Sequence, residues 1–192
     1  IHPYDRLVDL IKERKWDNLS IGVEMDSHYY TAYCHQKLLN GLPNAKIKDS
    51  ERLVNWIRFV KSDAEIKLMN IASQITELGM KTAFDVINPG VRQCDAVAKI
   101  YSTLIRGTKD HGGDYSSIVP LLPTGKGTSA SHLTWSDDEF AQGEASIIEI
   151  SGVYKKYHCP MARTVLLGNP DQKKIDTMKK TREALEAGID AT

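Results

Sequence analysis

Cysteine is scarce: Cys34, Cys94 and Cys159 are the three in 192 residues, and no CxxC pair occurs. An odd, scattered set cannot build a disulfide scaffold and fits a reducing compartment, so a cytoplasmic protein is expected. Charge of one sign is also lacking, because 25 Lys and Arg balance 25 Asp and Glu. A nucleic-acid binder of this size carries a basic excess, so no nucleic-acid partner is expected. No apolar run approaches the roughly 20 residues of a membrane helix, so no membrane partner is expected either. The first residues, Ile1-His2-Pro3-Tyr4-Asp5, show neither an initiator Met nor a signal peptide, which implies a start inside a longer gene product. Aromatics are few at 7%, yet 41% hydrophobic and 26% charged residues are ordinary for a globular chain with a real core.

What is present falls into two zones. Over residues 1–60, helix-like and strand-like patterns alternate. Leu7, Leu10 and Ile11 suit one helix face. Ser20-Ile21-Gly22-Val23 reads as a short strand, and Ala45-Lys46-Ile47 as another after the Gly41-Leu42-Pro43-Asn44 turn. A capping box follows, with Ser62 as N-cap and Glu65 three positions later. Behind it Ile66, Met69, Ala72, Ile75, Leu78, Thr82 and Val86 recur at helical spacing, until Asn88-Pro89-Gly90 stops the helix. A second helix is expected from about Cys94 to Arg106. Ser117-Ile118-Val119 and Leu121-Leu122 read as a buried strand broken by Pro120, and Gly125–Ser129 as a flexible loop. Ser146–Ser151 and Tyr157–Leu167 form a hairpin turning near Lys155-Lys156. A last helix from about Asp171 to Asp190 carries Ile175, Met178, Leu185 and Ile189 on one face.

The polar residues concentrate in the second zone. Glu149 interrupts a strand of Ile, Ile, Ile and Ser, where a carboxylate is costly unless hydrogen-bonded, paired or protonated. Strand alternation puts Ile147, Glu149 and Ser151 on one face. The hairpin brings Glu149 opposite residues 161 to 163. His111-Gly112-Gly113-Asp114-Tyr115 precedes an apolar stretch, His132 follows the glycine loop, and His158 and Cys159 lie in the returning strand. Each has a structural alternative. Glu149 can pair with Arg163 as an ion pair, His132 can cap a loop, and His111 can satisfy a turn. Cys159 can be a buried small hydrophobe, and His158 a structural side chain on the other strand face.

The capping box within Lys61–Ile66, the Asn88-Pro89-Gly90-Val91 stop and the hairpin ending in Ala162-Arg163-Thr164-Val165 resemble the creatinase/prolidase/aminopeptidase P family. The resemblance covers nearly the whole chain. It implies an α+β fold: the first half of a pita-bread catalytic domain over residues 61–192. Before it, residues 1–60 would be the end of an N-terminal α/β domain. The second half of such a domain brings a further histidine and two glutamates. This chain alone is therefore expected to hold half a site and to be inactive, with the full-length protein a homodimer.

Most peptidases of the family bind two divalent metals. Their first ligand is an Asp on the outgoing strand, and the second is an Asp eleven residues on. Here those positions are Glu149 and Pro160. Proline offers no side-chain donor atom and the neighbouring Cys159 is a soft ligand, so no metal cofactor is expected. Creatinase carries a Glu before its Arg-Thr pair, where this sequence has Ala162. His111–Tyr115, Ile118–Pro123, His132-Leu133-Thr134-Trp135 and Tyr157-His158-Cys159-Pro160 are similar instead to the ectoine-hydrolase members of the family. That resemblance implies hydrolysis of a cyclic amidine. His132 matches the family's catalytic histidine and is expected to be the general acid/base. Glu149 would stabilise the amidinium, or act as base or nucleophile, and Cys159 would line the pocket or hold Glu149. His111, Asp114 and Tyr115 are candidates for a substrate-covering loop, and Arg163 for the partner of a substrate carboxylate. The alternatives are an Xaa-Pro aminopeptidase or dipeptidase with an altered site, and a catalytically silent binding module.

Overall fold

A computed structural model describes residues 2–192, and the chain divides into two compact units, Ile1–Lys61 and Ser62–Thr192. The first unit begins with helix α1 (Pro3–Glu13), whose cap is His2: its ring accepts the Tyr4 N–H while Asp5 accepts the His2 N–H. Strands β1 (Ser20–Val23) and β2 (Lys46–Asp49) pair in parallel, with Ile21 beside Ile47, and helix α2 (Ala32–Gly41) makes the crossover. Val8, Ile11, Leu38 and Leu42 form its buried core. Helix α3 (Leu53–Phe59) closes the unit and buries none of its side chains.

The second unit opens with helix α4 (Asp63–Val86). Its capping box is present: Glu65 accepts the Ser62 N–H at 2.7 Å and Ser62 accepts the Glu65 N–H at 3.4 Å. The other oxygen of Glu65 takes the Tyr157 hydroxyl at 2.9 Å, tying the helix start to strand β4 (Tyr157–Leu166). Strand β3 (Ala145–Tyr154) pairs antiparallel with β4, and the two-residue turn is Lys155-Lys156. Both turn residues have positive φ, the backbone a tight hairpin of this length needs. Helix α5 (Gln93–Arg106) lies on α4, and Ala96, Val97, Ile100 and Leu104 close over Ile75, Met80 and Ala83. Helix α6 (Gln172–Asp190) ends the chain. Its apolar stripe is present as expected, but Leu185 and Ile189 stay exposed, because periodicity records what a helix can bury and not what it meets.

The face of α4 turned to the hairpin differs from the expected one. Buried are Ala72, Ile75, Thr76, Gly79, Met80 and Ala83, whereas Ile66 is exposed and Thr82 and Val86 are half-buried. Small residues win this face because the helix backbone comes very close to β3. A Cβ placed on Gly152 would fall 2.4 Å from the Ala72 carbonyl oxygen and 2.5 Å from the Thr76 nitrogen.

The expected strand over 117–122 is an irregular segment running along the free edge of β3. Its N–H of Asp114 bonds the Val153 carbonyl, Leu121 and Glu149 exchange both backbone bonds, and Ile147 donates to Pro123. Seven residues of the segment span four of β3 between the first two attachments, so the chain bulges outward from Tyr115 to Pro120. The expected flexible loop at Gly125–Ser129 is a 3-10 turn, closed by Thr128 Oγ1 donating to the Gly125 carbonyl.

The contact at Gly152 is directly testable. In the complete protein Gly152→Ala should lower stability by about 2 kcal/mol or more, since the clash is with backbone that cannot swing aside. Gly112→Ala has open space around the new methyl and should stay within about 0.5 kcal/mol. Urea-unfolding midpoints of the two variants give the comparison, and equal midpoints would refute the close approach.

Candidate active site

The bulge creates a cavity of about 170 Å³ against β3 and β4. Ser116, Ser117, Ile118 and Val119 line it on one side, and Glu149, Ser151, His158 and Pro160 on the other. Register explains this set. Glu149 sits opposite Ala162, Ser151 opposite Pro160 and Val153 opposite His158, so these residues share one face of the hairpin. Because Glu149 spends its backbone bonds on Leu121, its pair with Ala162 is a non-hydrogen-bonded one. By alternation so is the Ser151–Pro160 pair, and the missing N–H of Pro160 takes nothing from the ladder.

Glu149 is half-buried, and its Oε2 lies 3.4 Å from Nδ1 of the more exposed His132. That spacing is longer than a good hydrogen bond but within ion-pair reach if the imidazole is protonated. His132 holds a left-handed backbone, φ 59°, which is uncommon outside glycine and places the residue on a sharp corner. The corner is fixed on its C-terminal side. The Leu133 carbonyl accepts the Leu122 N–H, Trp135 packs on the core, and Gln93 accepts the Ser136 N–H.

Not all of the expected residues gather here. Cys159 pairs with Gly152 and Arg163 with Ile148, so both belong to the opposite face from Glu149. Arg163 is exposed and donates to the carbonyl of Ala162, and no ion pair with Glu149 exists among the described residues. His111 is engaged in a turn with Thr108, and its ring meets Tyr154 edge-on at 5.1 Å between centroids. It does not line the cavity. Asp114 and Tyr115 stand where the bulge leaves β3. Lys156 pairs with Asp114 at 2.8 Å and sits 3.9 Å from the centre of the Tyr115 ring. Sequence reasoning set His158 aside, yet it faces the same cavity as Glu149. The signal was available: with the turn at Lys155-Lys156, two-residue alternation assigns 158 and 149 to one face.

Residues 67–192 match metallopeptidase family M24. The chain belongs to this family. It is 41% identical to the ectoine hydrolase of Halomonas elongata, an alignment covering 99% of this chain and 49% of the relative. It is 24% identical to the Xaa-Pro dipeptidase of Pyrococcus horikoshii, over 90% of this chain and 49% of that protein. The crystal structure of X-Pro aminopeptidase from Thermotoga maritima superposes with a TM-score of 0.82 at 19% identity, covering 95% of this chain and 49% of that one. The fold is α+β and resembles half of the pita-bread fold, and the chain spans about half the length of the curated relatives it matches.

A family of metallopeptidases implies a metal, and the residues present do not fit a bridged pair of ions. Pro160, opposite Ser151, has no side-chain donor atom. Among the described residues no group of three or more His, Cys, Asp and Glu comes together to hold an ion.

The Asp114–Lys156 pair has a pH signature. The hydrogen bond from Lys156, aided by the Tyr115 N–H, holds the Asp114 carboxyl below its ordinary range, and Asp114 raises Lys156. The stabilisation is present above the ordinary carboxylate value and is lost as pH falls through the depressed one. Lys156→Met should move the Asp114 titration upward, followed by carboxyl ¹³C NMR. An unmoved midpoint would remove Lys156 as the cause.

Proposed function

We propose that the complete protein is a hydrolase acting on a non-peptide C–N bond, opening the ring of ectoine to an N-acetyl-2,4-diaminobutyrate. The observation that carries the reading is Glu149 lining a small cavity together with Pro160 and lying within reach of His132; by the family resemblance Pro160 occupies the position of the peptidases' second carboxylate. The 41% identity to the Halomonas elongata enzyme supports the substrate. The cavity's volume, about six waters' worth of liquid, suits a small ring.

On this reading the amidinium of the substrate lies against Glu149. A carboxylate can accept hydrogen bonds from both nitrogens of a planar N–C–N group and offset its charge. Water adds to the amidine carbon, giving a tetrahedral centre. The bond from that carbon to one ring nitrogen then breaks, the carbon keeps its oxygen as an amide, and the departing nitrogen takes up a proton. On this reading His132, within reach of Glu149 but outside the cavity lining, passes that proton, since imidazole gains and loses one near neutral pH. The 3.4 Å gap to Glu149 lets the carboxylate stabilise the imidazolium while it carries the proton. Ile118, Val119 and Pro160 supply apolar wall, which lowers the local dielectric and strengthens the ion contact. Among the described residues no helix is long and apolar enough to cross a membrane. With three free thiols, a cytoplasmic enzyme working as a homodimer completes the reading.

The test uses the complete protein. Glu149→Gln keeps the shape and removes the charge, and should lower ectoine turnover on the order of 100-fold or more. Turnover should also survive a strong chelator. Full activity in Glu149→Gln would reject the role of Glu149. Activity on Xaa-Pro dipeptides, abolished by chelator and restored by Mn²⁺, would replace the reading with a peptidase.

A further inference from the structure

His158 uses both ring nitrogens on backbone groups. Nε2 accepts the Ser117 N–H at 3.1 Å, and Nδ1 lies 2.9 Å from the carbonyl oxygen of Lys156. An N–H donor at Nε2 means that this nitrogen carries no proton. The proton is then on Nδ1, which donates to Lys156, and the ring is a neutral imidazole of fixed tautomer. One bond therefore stitches the strained hairpin turn, and the other reaches across the cavity to the middle of the bulge.

The bulge has few other restraints. It is attached to β3 at Asp114 and Leu121, and between them Ser116 Oγ bonds only within the bulge, to the N–H and carbonyl of Ile118. Ile118 and Val119 wall the cavity while remaining largely exposed on their outer side. The same turn grips the start of the bulge a second time, through Lys156 on Asp114 and over the Tyr115 ring. So the bulge is held by the Lys156 side chain at one end and by the His158 ring, through the Ser117 N–H, at its centre.

We infer that His158 is a positioning residue that latches the Tyr115–Pro120 bulge over the Glu149 cavity by accepting the Ser117 N–H. This rests on reading that cavity as the substrate site. Neither ring nitrogen is offered to the cavity, so His158 is not a proton carrier for the reaction. Its effect falls on how firmly the wall of Ile118 and Val119 closes on a bound molecule.

Two variants of the complete protein separate the latch from plain packing. His158→Phe keeps a ring and removes the acceptor, whereas His158→Gln keeps an acceptor at similar reach. Amide hydrogen exchange at Ser117 should quicken about fivefold to tenfold in His158→Phe, the loss of one modest hydrogen bond, and stay near wild type in His158→Gln. The amides of Ile148 and Ile150 should keep their protection in both. The KM for ectoine should rise by a similar factor in His158→Phe with kcat within about twofold, and His158→Gln should restore it. Unchanged Ser117 exchange in His158→Phe overturns the inference. So does a fall in kcat with KM unmoved, or a loss of protection at Ile148 and Ile150 in both variants. If Ser117 responds as expected while wild-type protein leaves ectoine untouched, the latch stands and the substrate assignment falls.

Discussion

Thr76 brings one hydroxyl to the place where α4 meets the hairpin, and the geometry of the site depends on that contact. Its Oγ1 accepts the Gly152 N–H at 2.8 Å and donates to the Cys159 carbonyl at 2.6 Å, so a single buried oxygen addresses both strands at one rung. Gly152 permits the approach because it has no Cβ to meet the helix backbone. A polar side chain at a helix–sheet seam is costly unless satisfied, and this one is satisfied twice. Its specificity follows from the same fact. A hydroxyl that must reach these two groups fixes the rotation and the height of the helix over the hairpin more narrowly than apolar packing can.

Once that rung is fixed, the chemistry of each face follows from alternation. Ile148 and Ile150 turn into the core with Met161 packed against them, and Gly152, Cys159 and the exposed Arg163 lie on that same face of the hairpin by register. Glu149 and Ser151 turn away, and His158 and Pro160 of the other strand share their face. A slip of one residue would bury the carboxylate against Ile75 and expose the isoleucines, which is why register is strongly specified here. The cavity therefore owes its existence to two features of unequal kind. The hairpin supplies polar groups at spacings it cannot vary, and the bulge supplies a wall whose form is set by its few attachments.

Legibility from sequence tracks which of these forces leaves a periodic trace. The capped helix, the hairpin and its turn were readable because capping boxes and two-residue alternation are local. The position of Glu149 opposite residue 162 follows from counting away from the turn. The inward face of α4 was not readable by hydrophobicity, because Thr76 and Gly79 are chosen for closeness and not for apolar area. The segment over 117–122 carries strand-like residues, yet Pro120 and the extra residues of the bulge leave it only bridging β3. Helix α3 buries nothing that could have written an apolar stripe.

Two histidines, His132 and His158, lie near Glu149 and differ in what their ring nitrogens are free to do. A histidine in a cleft is commonly assigned by sequence neighbourhood, but a ring nitrogen already bonded to backbone is not available to a substrate. His158 has both nitrogens so engaged, while His132 approaches Glu149 by Nδ1 at 3.4 Å on an exposed corner. The left-handed backbone at His132 has an energetic consequence for such a role. Strain of this kind costs about 1–3 kcal/mol and persists where surrounding structure over-determines it, as the anchored run from Leu133 to Ser136 does here. Proton transfer in the proposed reaction needs an imidazole held at the carboxylate but left with a nitrogen to spare. Of the two histidines, His132 alone meets that condition.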